Sequence, residues 1–238
     1  MPIEEFHGHT FVAFVDISGF KLMMKTPKKA YRALDNFYQI GYDVLLEYHK
    51  ENEERRIDGL FISDCGVLFS RRDNFNNDDN HEKQRALKPL LDAIETISQR
   101  MINNDYLLTA SIAYGKFDYQ ERIEFGGIDK NLMYGNAYLD AYLDNETGRP
   151  KLEPGHCRIL KTDLNGQFWQ QLKISDDPPF DRLISKPNDA KHLYFYWMVD
   201  FENQVGDFQK EYTDTYNMKY KGMIDVIKTF NQNRNNLR

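Results

Sequence analysis

Apolar residues run unbroken from Phe11 to Val15, the pattern of a strand covered on both faces. The run stops at Asp16-Ile17-Ser18-Gly19-Phe20. From about Lys28 to Lys50 the spacing becomes helical, with Leu34, Phe37, Tyr38, Val44 and Leu45 apolar and Pro27 suited to the first turn. Residues 59–62 and 65–69 are short apolar runs around Ser63-Asp64, which predicts a β-hairpin. A polar loop over 71–81 leads to a second helix, about His81 to Asn104, in which Pro89 kinks the helix or delays its start.

Leu107–Phe117 reads as a strand and Ile123–Phe125 as a second, paired antiparallel to it. Leu132–Glu146 reads as helical, ended by Gly148 and Pro150. Residues 157–174 hold a short strand and a short helix. An Asp- and Pro-rich loop covers 175–189, residues 193–199 form the last strand, and one helix of mixed polarity starts near Val205. No internal repeat appears, and no linker clearly divides two domains. The order β-α-α-β-β-α-β-β-α-β-(α)-β-α predicts an α+β fold, a mostly antiparallel sheet with helices packed on it.

The 238 residues suffice for one sizeable core, and 41% hydrophobic with 29% charged residues gives a soluble globular class. No apolar run is long enough to span a bilayer, and the N-terminus lacks a secretory signal pattern, so no membrane partner and a cytoplasmic location are expected. A net charge of −6 argues against a general nucleic-acid binder, although a local cationic site could still take an anionic small molecule. Cys65 and Cys157 have no metal-ligand spacing and read as reduced, small buried groups.

The candidate chemistry lies at two strand ends. If the hairpin lies beside the first strand, Asp16 and Asp64 emerge at one edge of the sheet, and two converging carboxylates suit a divalent ion such as Mg²⁺. Gly19 in the adjoining turn permits close approach to a phosphate.

These residues carry a family resemblance. Phe14-Val15-Asp16-Ile17-Ser18-Gly19-Phe20 resembles the metal-binding signature of class III nucleotidyl cyclases, and Phe61-Ile62-Ser63-Asp64-Cys65 their second metal motif. Tyr134-Gly135-Asn136-Ala137 with Ala141 and Glu146 resembles their later small-residue helix, and Ala110–Phe117 the strand between. The resemblance spans roughly residues 8 to 200. It implies a class III cyclase-like, ferredoxin-like palm over 1–204, followed by a helical tail over 205–238. It also implies two Mg²⁺ or Mn²⁺ ions on Asp16, Asp64 and the Ile17 carbonyl. Amides of Ser18, Gly19 and Phe20 would hold the phosphates of a nucleoside triphosphate, at a site on a homodimer interface.

The pattern also departs from the family. Purine-specific members place a Lys where this chain has Leu60, an Asp at Leu132, and an Asn and an Arg at Leu139 and Leu143. Short divergent domains of this kind resemble the pyrimidine cyclases of bacterial Pycsar anti-phage systems. That implies conversion of UTP to cyclic UMP, or of CTP to cyclic CMP, and a separate cyclic-nucleotide-activated effector. Adenylate or guanylate cyclase activity, and a non-catalytic cyclase-like binding domain, are the alternatives; the retained Asp16 and Asp64 favour activity. Arg149 is the candidate replacement for the missing transition-state Arg, Lys191 for a phosphate-binding Lys, and Arg122 for a residue reaching across a dimer. Each has solvated surface charge as its ordinary reading. His7 and His9 read as a solvated start, Gly126-Gly127 and Asp78-Asp79 as loop, and Tyr134, Tyr138 and Tyr142 as helix packing.

Overall fold

The computed structural model describes residues 4–51, 56–72, 79–123, 129–175, 177–215 and 218–235. Gly126-Gly127, Asp78 and the side chain of Arg122 lie outside that part. The first strand, β1 (Phe6–Ile17), is longer than its apolar run. It includes His7 and His9, so this segment is ordered strand, although both histidines stay exposed as expected; His7 Nδ1 lies 2.8 Å from Asp118 Oδ1. A four-residue helix, α1 (Phe20–Met23), follows, then α2 (Pro27–Glu51) and the expected hairpin of β2 (Ile57–Ile62) and β3 (Cys65–Ser70). Helix α3 (Asn80–Asn103) starts without delay despite Pro89, because the Asp79 side chain accepts from the amides of His81 and Glu82.

The next region departs from the sequence reading. Strand β4 (Leu108–Ile123) runs well past Phe117, and its antiparallel partner is β5 (Asp129–Tyr134). Residues 132–134, expected in a helix, are therefore strand; pairing with β4 outweighs their local preference. Helix α4 (Asn136–Thr147) starts after Gly135. Then come β6 (Cys157–Leu160), α5 (Gly166–Lys173), the two-residue β7 (Leu183–Ile184) and β8 (His192–Phe195), which is shorter than expected. The C-terminal segment is two helices, α6 (Val205–Asp214) and α7 (Lys219–Asn235), where one was expected.

The strands form one sheet in the order β2-β3-β1-β4-β6-β8-β7, with β5 added on β4. Every pairing is antiparallel except β4 with β6. The two faces of β1 explain its unbroken apolar run. Phe11, Ala13, Val15 and Ile17 join one core cluster with residues of α2, α3 and α5 and with Phe208, Ile224 and Ile227 of the C-terminal helices. Val12 and Phe14 join the other, under Ala137 and Ala141 of α4. On the first face α2 approaches closely because position 41 is glycine; a Cβ there would stand 2.1 Å from the Phe61 ring.

A buried polar network ties α4 to the far half of the sheet. Arg158 of β6, fully buried, donates from Nε and Nη2 to the Asp144 carboxylate at 2.7 Å each. Ser111 and His192 Nε2 also meet that carboxylate, and His192 Nδ1 lies 2.8 Å from Asp189. Burial alone would raise the Asp144 carboxyl, but hydrogen bonds from His192, Arg158 and Ser111 outweigh it and hold it below the ordinary value. Replacing Arg158 by Leu strands this carboxylate. Urea denaturation of Arg158→Leu should show a loss of about 3–5 kcal/mol, and adding Asp144→Asn should recover part of it.

Candidate active site

Alternation along β1 places Val12, Phe14 and Asp16 on the face that α4 covers. Register sets Asp16 opposite Cys65 of β3 and Thr109 of β4. The hairpin turn then supplies Asp64. Ser63 takes a left-handed φ of 56°, and the Asp64 carbonyl accepts the Ile17 amide at 2.9 Å. The Ser63 hydroxyl donates to the Asp64 carboxylate at 3.0 Å. Both carboxylates thus line one cleft of about 550 Å³, together with the Ile17-Ser18-Gly19-Phe20 turn. Gly19 holds φ 76°, a left-handed value that lets the chain leave β1 and enter α1 at once.

Helix α4 adds a third carboxylate. Asn145 donates to the Phe14 carbonyl at 3.3 Å and its side-chain oxygen accepts from the Thr109 hydroxyl at 3.2 Å. The Tyr142 ring packs edge-on against Phe14, with centroids 5.2 Å apart. These contacts pin the end of α4 over the strand ends and bring Glu146 into the cleft. Lys21 and Lys151 line it as the only Lys or Arg among the described residues there. The readable signals for Glu146 were its place in the quoted helix motif and its helical spacing from Tyr142; they do not reveal the turn of α4 toward Asp16.

The cleft's electrostatics favour a cation. Burial, then the charges of Asp64 and Glu146, raise the Asp16 carboxyl to about 7, against a smaller opposing effect of Lys21. Among the described residues the Asp16 carboxylate has no hydrogen bond or ion pair. The Ser18 hydroxyl is likewise buried without a partner. A carboxylate left without compensation beside two others, with an orphaned hydroxyl at the same turn, fits a divalent ion held by Asp16 and Asp64. No group of three His, Cys, Asp or Glu side chains among the described residues is arranged to hold a metal alone. Such an ion would complete its shell from substrate oxygens and water, as Mg²⁺ commonly does. Cys65, half-buried at the cleft, has its thiol raised to about 11 by burial and by the charges of Asp64, Asp16 and Glu146; Cys157 is buried, and both are free.

Several expected site residues lie elsewhere. The Ser18 amide donates to the Leu107 carbonyl at 2.9 Å, so only its hydroxyl remains to offer. Leu60 is 3% exposed, packed in the cluster under α4, where no base can reach it within this chain. Arg149 and Lys191 are exposed but border a different cleft, of about 620 Å³, on the other side of α4, together with Lys161. The chain turns that way because Gly148 passes against the Arg158 guanidinium, where no side chain would fit.

No protein-family model matches this chain, and no curated protein matches it in sequence. Solved structures do match its fold. The guanylyl cyclase domain of the RhoGC fusion protein from the aquatic fungus Blastocladiella emersonii, in a monomeric double-mutant form, matches with a TM-score of 0.51 at 14% identity, covering 80% of this chain and 94% of that one. A dimeric form of the same domain gives 0.50 at 14% identity, covering 81% and 96%. The catalytic core of a rhodopsin-guanylyl cyclase with converted specificity, in complex with ATPalphaS, gives 0.50 at 15% identity, covering 80% and 95%. The chain has the class III cyclase-like fold. No helix among the described residues is long and apolar enough to cross a membrane.

Because its proton must leave before a cation binds, Asp16 makes metal affinity depend on pH. Mn²⁺ affinity, read by calorimetry, should fall by up to about tenfold per pH unit below 7 and level off above it. The raised carboxyl also costs stability without metal. That cost is absent below the unfolded value of 3.8, grows as pH rises and is complete above 7. Asp16→Asn should therefore melt higher than wild type at pH 8 in chelator, by on the order of 2 kcal/mol, with the gap closing toward pH 4.

Proposed function

We propose that this chain is a divalent-metal-dependent nucleotide cyclase that closes a nucleoside triphosphate into its 3′,5′-cyclic monophosphate. The observation that carries the reading is the meeting of Asp16, near the end of β1, and Asp64, in the β2–β3 turn, in one cleft beside the Gly19 turn. Asp16, Asp64 and the Ile17 carbonyl would hold two Mg²⁺ or Mn²⁺ ions. Bound there, such ions supply neutralisation of the triphosphate and acidification of the 3′-hydroxyl. Lys21 and Lys151 offset phosphate charge in the same cleft, and the amides of Gly19 and Phe20 and the Ser18 hydroxyl offer donors to phosphate oxygens. The 3′-oxygen bonds to the α-phosphorus, the bond to the bridging oxygen breaks, pyrophosphate departs and the proton passes to water.

The second cleft gives Arg149 and Lys191 a role through a partner. Helix α4 separates the acidic cleft from the one lined by Arg149, Lys161 and Lys191, and these three cations have no ion-pair partner among the described residues. Between the clefts α4 exposes Leu139, Tyr142 and Leu143, with Leu132 and Tyr134 of β5 also exposed. Such a strip favours a second copy of the chain. A head-to-tail homodimer would lay the basic cleft of one copy over the acidic cleft of the other.

For the base, we favour a pyrimidine, uridine before cytidine. Leu60 and Leu132 leave no polar group where purine-specific cyclases read their base, while Leu139 and Leu143 stand where those enzymes carry the transition-state Asn and Arg. A cyclic UMP product would serve as a signal in anti-phage defence, read by a separate effector.

Purified protein incubated with each of the four triphosphates and Mn²⁺ should release a cyclic product, chiefly from UTP, as read by chromatography. Asp64→Asn should cut the rate by about 10²–10³-fold, as loss of a group acting on transition-state charge does. No cyclic product from any triphosphate, with a folded dimer, would leave a non-catalytic binding domain. Leu143→Asp should shift the dimer toward monomer in analytical ultracentrifugation and reduce activity in step.

A further inference from the structure

Three aromatic side chains from the C-terminal part of the chain end on backbone groups of residues that line the acidic cleft or are bonded directly to one that does. Trp197 Nε1 donates to the Gly155 carbonyl at 2.9 Å. The Tyr212 hydroxyl of α6 donates at 2.7 Å to the carbonyl of Pro154, which itself lines the cleft. The Leu107 amide donates at 2.9 Å to the hydroxyl oxygen of Tyr220, on α7.

The last of these contacts reaches furthest. Leu107 is buried and stands one residue before β4 begins, so the β4 ladder gives its amide no partner. Its carbonyl accepts the Ser18 amide, and the neighbouring Ile17 amide is held by the Asp64 carbonyl. One residue therefore joins α7 to the turn that follows Asp16, and that turn is tied in the same way to the hairpin carrying Asp64. A buried amide that loses its acceptor bears its full desolvation penalty, so Leu107 cannot drift from Tyr220 without cost. The strand end is thus fixed in one position by a helix more than 110 residues away in the chain.

We propose that Tyr220 is a positioning residue for the acidic cleft: docking of α7 fixes the Leu107 peptide, and through it the Ser18 turn beside Asp16. This deepens the cyclase reading and rests on it for its activity arm alone. The α7 helix is in this view part of the machinery that aligns the two carboxylates, and loosening it loosens the site.

The test uses the full chain. Tyr220→Phe keeps the ring and removes only the acceptor; Ile227→Val, at a fully buried position of the same helix, serves as a packing control. Hydrogen exchange should accelerate about tenfold or more at the Ser18 and Leu107 amides in Tyr220→Phe. Mn²⁺ affinity in the presence of UTP should fall about fivefold or more, since a loosened turn no longer holds its ligands ready. In Ile227→Val, at comparable loss of melting temperature, both quantities should stay at wild-type values. Wild type alone supplies a second reading: Ser18 should become exchangeable together with the α7 amides, as one opening unit. Unchanged Ser18 exchange in folded Tyr220→Phe, an equal rise in Ile227→Val, or α7 opening while Ser18 stays protected would each overturn the proposal. Wild type that binds no Mn²⁺ and forms no cyclic product would overturn the cyclase reading instead, and faster Ser18 exchange in Tyr220→Phe would still support the link.

Discussion

The register of β1 between β3 and β4 governs everything else in this molecule. Asp16 faces α4 only because Val12 and Phe14 do, and it meets Asp64 only because it lies opposite Cys65, the first residue after the hairpin turn. A slip of one residue would send the carboxylate into the core on the other face and bring Ile17 to the cleft. Two covered faces make that slip costly, since each would exchange its whole set of side chains.

Two acidic centres lie near opposite sides of α4 and are treated in opposite ways. Asp144 is buried among donors from Arg158, Ser111 and His192, so its negative charge is neutralised within the fold. Asp16 has no such donor and two carboxylates for neighbours. A fold that compensates Asp144 so fully leaves Asp16 with only the smaller opposing charge of Lys21. Buried carboxylates kept only for structure resemble the first case; functional sites resemble the second.

Much of this was readable in the sequence, for a stated reason in each case. The apolar run before Asp16 and the paired runs around Ser63-Asp64 are local signals, and they located both carboxylates and the hairpin that unites them. The signals failed where tertiary pairing decides. Residues 132–134 look helical beside Ala137 and Ala141 yet pair with β4, and the stretch from His7 to Thr10 of β1 is polar enough to pass for a free end. Arg149 was placed by proximity to the end of α4, but the chain turns there past Arg158, a contact no spacing encodes. The partners of Asp144 and of Leu107 are likewise scattered over several elements, and only coordinates assemble them.

The central strand also constrains how the chain can form. Strand β1 is made first, yet its partners are β3, about fifty residues later, and β4, whose last paired residue is Tyr119. On a ribosome this strand therefore waits about fifty residues for β3 and about a hundred for the whole of β4. Loop closure over such separations is slow. The nascent chain thus passes through an interval with a sticky, unpaired strand, and a chaperone that shields β1 during it would raise the yield of native protein more than one acting later.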